Sequence, residues 1–230
     1  MRKQKVIIII GPPGSGKGTQ SNLLSEKLNL YYLETARVGE EKIEEAKKGS
    51  YVKVGAKRYY FEAEKRKWEK GELWSPPFVS YLVKQKIKQL SERKRGIVFA
   101  GSPRTLKEAK ELMPYISKLY GKSNIKVIEL KLSVKESVFR NSHRKICQLM
   151  RHPILYNKET KNLKFCPLDG SKLEKRALDK PEIIRKRYKV YQEQTFPLID
   201  YFKKEKFKVF KVNGEQSVAN VFSDILKKVK

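Results

Sequence analysis

Close to the start of the chain, the run Gly11-Pro12-Pro13-Gly14-Ser15-Gly16-Lys17-Gly18-Thr19 brings four glycines, a lysine and two hydroxyls together. Glycines at this density let the backbone turn tightly and aim successive N–H groups at phosphate oxygens, and a helix that follows adds the positive end of its dipole. Lys17 can then bridge the terminal phosphates. That chemistry is nucleotide binding, with ATP the expected ligand. The general form Gly-x4-Gly-Lys-Ser/Thr is met except at its end, where Gly18 takes the hydroxyl position and Thr19 brings the hydroxyl one place later.

These groups need elements to hold them. Val6-Ile10 is β-branched and does not alternate, the signature of a central parallel strand covered on both faces, and a helical pattern follows over 16–28. Further strands are expected at 96–100, 125–132 and 207–212, with helices at 78–90, 106–120 and 134–146 and a last helix at 216–229 behind the turn Asn213-Gly214. Strands alternating with helices predict an α/β fold, a doubly wound parallel sheet. Two stretches interrupt the alternation. Residues 36–75 are charged and helical in character, with Tyr51, Tyr59, Tyr60 and Phe61 among basic residues. Residues 147–179 read as short strands and turns. Both are expected to be insertions into one unit whose core is 1–35, 76–146 and 180–230.

A chain of 230 residues suits one such unit. The formal charge of +28 would suit a polyanionic partner, but the lysines are scattered along helix faces without a cationic block, which favours a solvated face over a nucleic-acid patch. No apolar run approaches a membrane span, and two cysteines make no disulfide framework. The basic start followed by Val6-Ile10 is too short in its apolar part for a signal peptide. The expected location is the cytoplasm, with no membrane partner.

The segment Gly11 to Gln20 resembles the phosphate loop of the adenylate kinase family of nucleoside monophosphate kinases. Gly101-Ser102-Pro103-Arg104-Thr105 is similar to that family's Asp-Gly-Phe-Pro-Arg-Thr, and Gly71-Glu72-Leu73-Trp74 to its Gly-x-Leu-Val. Arg140-x3-Arg144, Leu173-x2-Arg176, Arg185-Lys186-Arg187 and Gln194-Thr195-Phe196-Pro197 follow in the family's order, so the resemblance covers nearly the whole chain. It implies a core, a monophosphate-binding insertion at 36–75 and a lid at 147–179, in a monomer that transfers the γ-phosphoryl group of magnesium-bound ATP, with AMP as acceptor.

The resemblance also implies roles. Gly14, Ser15, Gly16, Lys17, Gly18 and Thr19 hold the ATP phosphates, with Thr19 near the magnesium, and Arg140 lies over the adenine. Lys17, Arg104, Arg144, Arg176 and Arg187 surround the transferring group, and arginine forks grip phosphate oxygens in pairs where lysine cannot. Thr35, Trp74, Gly101, Arg104, Glu108, Arg176 and Arg187 fall on the acceptor side. Trp74 reads as core or as a border to the acceptor base, and the cluster Tyr59-Tyr60-Phe61 as packing.

The acceptor side departs from the family's pattern. Ala36 and Arg37 replace a Gly-Asp pair, Glu40 stands where a phosphate-gripping arginine belongs, with Arg37 a substitute nearby, and Glu108 replaces a glutamine. Ala100 replaces an acidic residue that organises magnesium, and Ser102 replaces an aromatic, which would open space. A second reading therefore stands beside the kinase: a P-loop ATP-binding protein acting as a switch on RNA or another acidic partner. Some members of the family carry zinc in the lid on Cys-x2-Cys and, further on, Cys-x2-Cys or Cys-x2-Asp, and Cys147-x2-Met150 and Cys166-x2-Asp169 occupy those places, so the resemblance implies a site of Cys147, His152, Cys166 and Asp169. Met150 is a poor ligand where a cysteine would stand, and His152 can take its place. Two readings of the lid remain, a structural zinc site or two buried thiols in a metal-free lid.

Overall fold

The computed structural model describes residues 4–69, 74–150, 152–176 and 179–230. In chain order the elements are β1 (Val6–Ile10), α1 (Lys17–Leu28), β2 (Tyr31–Leu33), α2 (Thr35–Glu44), β3 (Tyr51–Val54), β4 (Lys57–Tyr60), α3 (Phe61–Glu69), α4 (Pro76–Glu92), β5 (Ile97–Ala100), α5 (Leu106–Tyr120), β6 (Ile125–Lys131), α6 (Val134–His143), β7 (Lys145–Cys147), β8 (Pro153–Ile154), β9 (Leu173–Glu174), α7 (Pro181–Val190), α8 (Leu198–Lys204), β10 (Lys208–Asn213) and α9 (Val218–Val229). A π-helical turn, Tyr191–Thr195, joins α7 to α8.

The central sheet is parallel throughout, in the order β10-β6-β1-β5-β2. β1 runs through its middle, and every residue from Val6 to Ile10 is fully buried, as an unalternating apolar run requires. One face carries Ile8, Ile10, Phe99 and Val127 against α4, α5 and α8; the other carries Ile7, Ile9 and Ile128 against α1 and α9. The chain leaves β1 for β2 at one edge, returns to β5, then crosses β1 to β6. The strand order reverses around β1, and ligands of open α/β sheets bind at the carboxyl ends of strands at such a point. The phosphate loop leaves β1 there.

Several expectations are corrected. The stretch 36–75 is not helical throughout: between α2 and α3 it folds into an antiparallel hairpin with Tyr51 opposite Tyr60 and Val52 opposite Tyr59. The alternation of Val52 and Val54 with exposed residues, closed by Gly55 at φ 61°, is a hairpin pattern that the surrounding charge obscures. Its two faces differ: Val52 and Tyr59 join the core, whereas Tyr51 and Tyr60 form an exposed ring pair 5.4 Å apart. The helix expected at 134–146 ends at His143, because Arg144 turns extended (ψ 150°) and Lys145–Cys147 pairs instead with β8 and β9. β2, α7 and α8 were not anticipated as elements.

Trp74 is buried in the main core, and its ring lies so close to Gly39 of α2 that a Cβ there would fall 2.1 Å from it. Glu64 of α3 fastens the same region, accepting from the backbone N–H and hydroxyl of Ser75 at 2.8 Å each and from Lys67 at 2.9 Å. Gly71, Glu72 and Leu73 lie outside the described residues.

Candidate active site

The phosphate loop gets its shape from Gly14 and Gly16, both in left-handed conformations (φ 76° and 87°) that a side chain would strain. Gly16 is the N-cap of α1, so the first turn, including Lys17, Gly18 and Thr19, presents free N–H groups towards the loop. Helix α6 braces the loop from behind. The buried Ser137 donates to the Pro13 carbonyl at 2.7 Å, and the amide of buried Asn141 sits against Gly14, where an added Cβ would fall 2.4 Å from Nδ2. Neither residue was picked out from the sequence. The signal is there: Ser133 caps α6 and accepts from Glu136 N–H, which fixes the phase that places 137, 141 and 144 along one face.

Lys17 folds back over its own loop, donating to the carbonyls of Gly11 (2.7 Å) and Pro12 (2.8 Å). Burial, then Arg104, Arg187 and Arg144 in that order, bring its ammonium down to about 7. The three guanidinium groups thus lie near enough to act on its charge. Gly101 closes the gap between Lys17 and one of them: a Cβ on it would stand 3.7 Å from both Lys17 Cε and the Arg104 guanidinium. Arg104 donates through Nε to the Gly101 carbonyl at 2.6 Å, and its own carbonyl accepts from Thr195 at 2.9 Å. Arg144 makes a two-pronged pair with the buried Asp179, at 2.7 and 2.9 Å, and Arg187 approaches the same carboxylate at 3.9 Å. Burial, followed by Arg176 and Arg144, lowers the Arg187 guanidinium below its ordinary value, with Asp179 acting in the opposite sense. Asp179 was missed in the sequence, although an acid just ahead of Lys180-Pro181 at a helix start was visible.

Arg140 is held by Glu136 at 2.7 Å and by the Gly214 carbonyl at 2.8 Å. It lines a cavity of ≈ 330 Å³ with Gly14, Gly16, Thr19 and, from the 147–179 stretch, Tyr156. The loop and Arg140 thus border one cavity whose volume falls in the range of small-ligand sites.

The residues expected on the acceptor side bond to one another. The Glu108 carboxylate accepts from Ser102 Oγ at 2.5 Å and from Arg104 N–H at 2.7 Å, while Glu108 N–H donates to Thr105 Oγ1 at 3.2 Å. The glutamate thus ties down the loop that carries Arg104, and Ser102 is buried beside it. Arg37 is turned to Glu41 at 3.1 Å on the exposed side of α2. Burial, then Glu34 and Glu44, raise the Glu40 carboxyl above its usual range. Thr35 is the first residue of α2.

In the 147–179 stretch, the ligand atoms of Cys147, His152, Cys166 and Asp169 all lie within 4.8 Å of one another. Cys147 Sγ donates to Asp169 Oδ2 at 3.0 Å, and His152 Nδ1 stands 3.6 Å from each sulfur. Ser171 fixes the other carboxylate oxygen of Asp169 through its N–H (3.0 Å) and hydroxyl (2.7 Å). His152 belongs to this group, whereas Met150 is 64% exposed.

Comparison with known proteins gives one answer. A family profile described as adenylate kinase matches residues 9–207. The chain belongs to the adenylate kinase family. Its relatives include adenylate kinases of Chlamydia pneumoniae, 34% identical over 99% of this chain and 98% of theirs, and of Thermosipho africanus, 33% identical over 96% and 97%. That of Archaeoglobus fulgidus is 32% identical over 97% of this chain and 99% of its own. Members of the adenylate kinase family are ATP-dependent nucleoside monophosphate kinases, and the loop and converging arginines described above are what such a kinase needs. Among the described residues no helix is long and apolar enough to cross a membrane.

Proposed function

We propose that this chain is a cytoplasmic, monomeric adenylate kinase, transferring the γ-phosphoryl group of MgATP to AMP. The observation that carries the reading is the placing of Arg104 beside Lys17 across Gly101, and of Arg144 and Arg187 on the one carboxylate of Asp179, with all three arginines acting on the charge of Lys17. Phosphoryl transfer asks for in-line positioning, neutralised charge and exclusion of water, and little covalent chemistry from the protein. Gly14 to Thr19 hold the ATP phosphates, with Thr19 towards the magnesium that arrives with the nucleotide. Arg140 covers the adenine. Lys17 leaves the Gly11 and Pro12 carbonyls for the γ-phosphate. Arg144 and Arg187 exchange the Asp179 carboxylate for the oxygens of the moving group, since a carboxylate offers the same paired oxygens to a guanidinium. Arg104, with Gly101, Thr35, Arg176 and Arg187, takes the acceptor phosphate. Glu108 and Trp74 act through position, the first by tying the Arg104 loop and the second by supporting α2. The core, insertion and lid divide at 36–75 and 147–179, and lid closure excludes water.

The reading is tested by transfer from MgATP to AMP, CMP, UMP, GMP and TMP. AMP is expected to be the best acceptor. Transfer to none of them, with ATP still bound, would leave the switch on RNA or another acidic partner as the better account.

A structural zinc at Cys147, His152, Cys166 and Asp169 is supported by the donor set: two buried thiols, an imidazole and an oriented carboxylate match the tetrahedral preference of the ion. Bound there, zinc would cross-link the two turns of the lid and take no part in the reaction. Metal analysis of protein purified without chelator should give one equivalent, lost in Cys166→Ser; no zinc in either protein would return the lid to packing and hydrogen bonds.

A further inference from the structure

A separate cavity of ≈ 400 Å³ lies between the C-terminal ends of β6 and β10 and the segment running from α7 through the π-helical turn to α8. It meets the phosphate loop only at Pro12 and shares no lining residue with the donor cavity. One of its lining residues is Glu129 of β6, on the same sheet face as Val127 and Tyr191. Glu129 is 3% exposed, and its Oε2 accepts no hydrogen bond. This atom is unpartnered although the strand register sets Lys211 directly opposite. A buried carboxylate oxygen with no donor is costly to keep, so an N–H donor entering the cavity is strongly favoured.

The surroundings narrow the donor. Tyr188, Tyr191 and Phe196 form an aromatic wall, with successive ring centroids 6.0 and 6.4 Å apart. The Tyr188 hydroxyl is already committed to the Leu132 carbonyl at 2.7 Å. The exposed part of the lining carries Lys131, Lys203 and Lys211. Of the acids there, Asp200 stands 3.7 Å from Lys203, and Glu215 accepts from Ser133 N–H at 2.8 Å. A simple amine or polyamine would satisfy Glu129 but meet the lysines, and a free phosphate would do the reverse. A flat ring with an amino group at one end and a phosphate at the other satisfies all three parts.

We infer that this cavity is a nucleotide site distinct from the donor cavity, taking a nucleotide whose base carries an exocyclic amine. The amine donates to Glu129 Oε2, the ring lies against Tyr191 and Phe196, and the phosphate reaches the lysines. The cavity volume falls in the range of small-ligand sites.

The test uses the full chain with its donor and acceptor sites filled by a bisubstrate analogue, two adenosines joined through five phosphates. Equilibrium dialysis of labelled AMP should then find one further equivalent. UMP, which lacks the amine, should bind at least tenfold more weakly, and so should AMP to Glu129→Met and to the surface variant Lys203→Glu/Lys211→Glu. Wild-type affinity for the analogue certifies that each variant is folded. The inference is overturned by the absence of a further equivalent, by equal binding of AMP and UMP, by binding indifferent to both variants, or by displacement with spermidine, which would mark a plain cation site. Should the analogue itself not bind, the kinase reading falls, and the same titration without it still reports whether a Glu129-dependent equivalent exists.

Discussion

Lys17 combines a folded-state value of about 7 with an ordinary value of 10.5. Between those two pH values the unfolded chain holds a proton that the unliganded fold does not, so this group's contribution to stability rises with pH across that window. Phosphates placed beside the amine reverse the shift. ATP binding at pH 8 should therefore take up close to one proton, measured by calorimetry in buffers of differing ionisation enthalpy, and Lys17→Met should abolish the uptake while lowering kcat about 10² to 10³-fold. Proton release on binding would contradict the arrangement. Asp179 is the matching anion. Because it is buried and paired with Arg144 in two places, Asp179→Ala should destabilise the fold by about 1–3 kcal/mol in urea titrations. A change near zero would mean that solvent, and not Asp179, neutralises Arg144.

The insertion depends on contacts between elements. α2 is held to the core where Gly39 meets the Trp74 ring, leaving no room for a methyl group. Gly39→Ala should cost about 1–3 kcal/mol through overpacking, and Trp74→Phe, which removes the atoms nearest that methyl, should recover part of the loss in the double variant. Simple addition of the two losses would show that the ring and the glycine do not share the strain. The turn before α5 shows another such dependence: Glu108 belongs to a helix start, yet its carboxylate reaches back to Ser102 and Arg104, so one substitution is absorbed by another.

The molecule as a whole carries a formal charge of +28, and its exposed ion pairs, such as Lys42–Glu45 and Lys88–Glu92, are of small individual worth. Like charges are crowded more closely in the fold than in the unfolded chain, so screening should favour the fold. Tm should rise as sodium chloride is increased from low to moderate concentration. A Tm that falls with salt would mean that the ion pairs outweigh the excess of cations. In the same titration, ATP binding should weaken, because the arginine cluster and the phosphates attract each other through the field that salt screens.

The phosphate loop, the buried central strand and the order of the arginines were legible in the sequence, because each depends on residue type at short spacing: glycine where the backbone turns left-handed, β-branched residues where both sheet faces are covered, Lys17 at the head of a helix. The group Cys147, His152, Cys166 and Asp169 was legible only through the resemblance of the lid, which marks the two turns that carry it. The hairpin at 51–60 was hidden because its charged face masks the alternation. The roles of Asp179, Ser137, Asn141 and Glu129 could not be read in advance, for a physical reason. What matters in each is what a distant segment brings to it: Arg144 for Asp179, the Pro13 carbonyl for Ser137, Gly14 for Asn141, and for Glu129 a cavity also lined by Tyr191 and Phe196. Such long-range partners exist only once the sheet order has brought β1, β6 and α7 together.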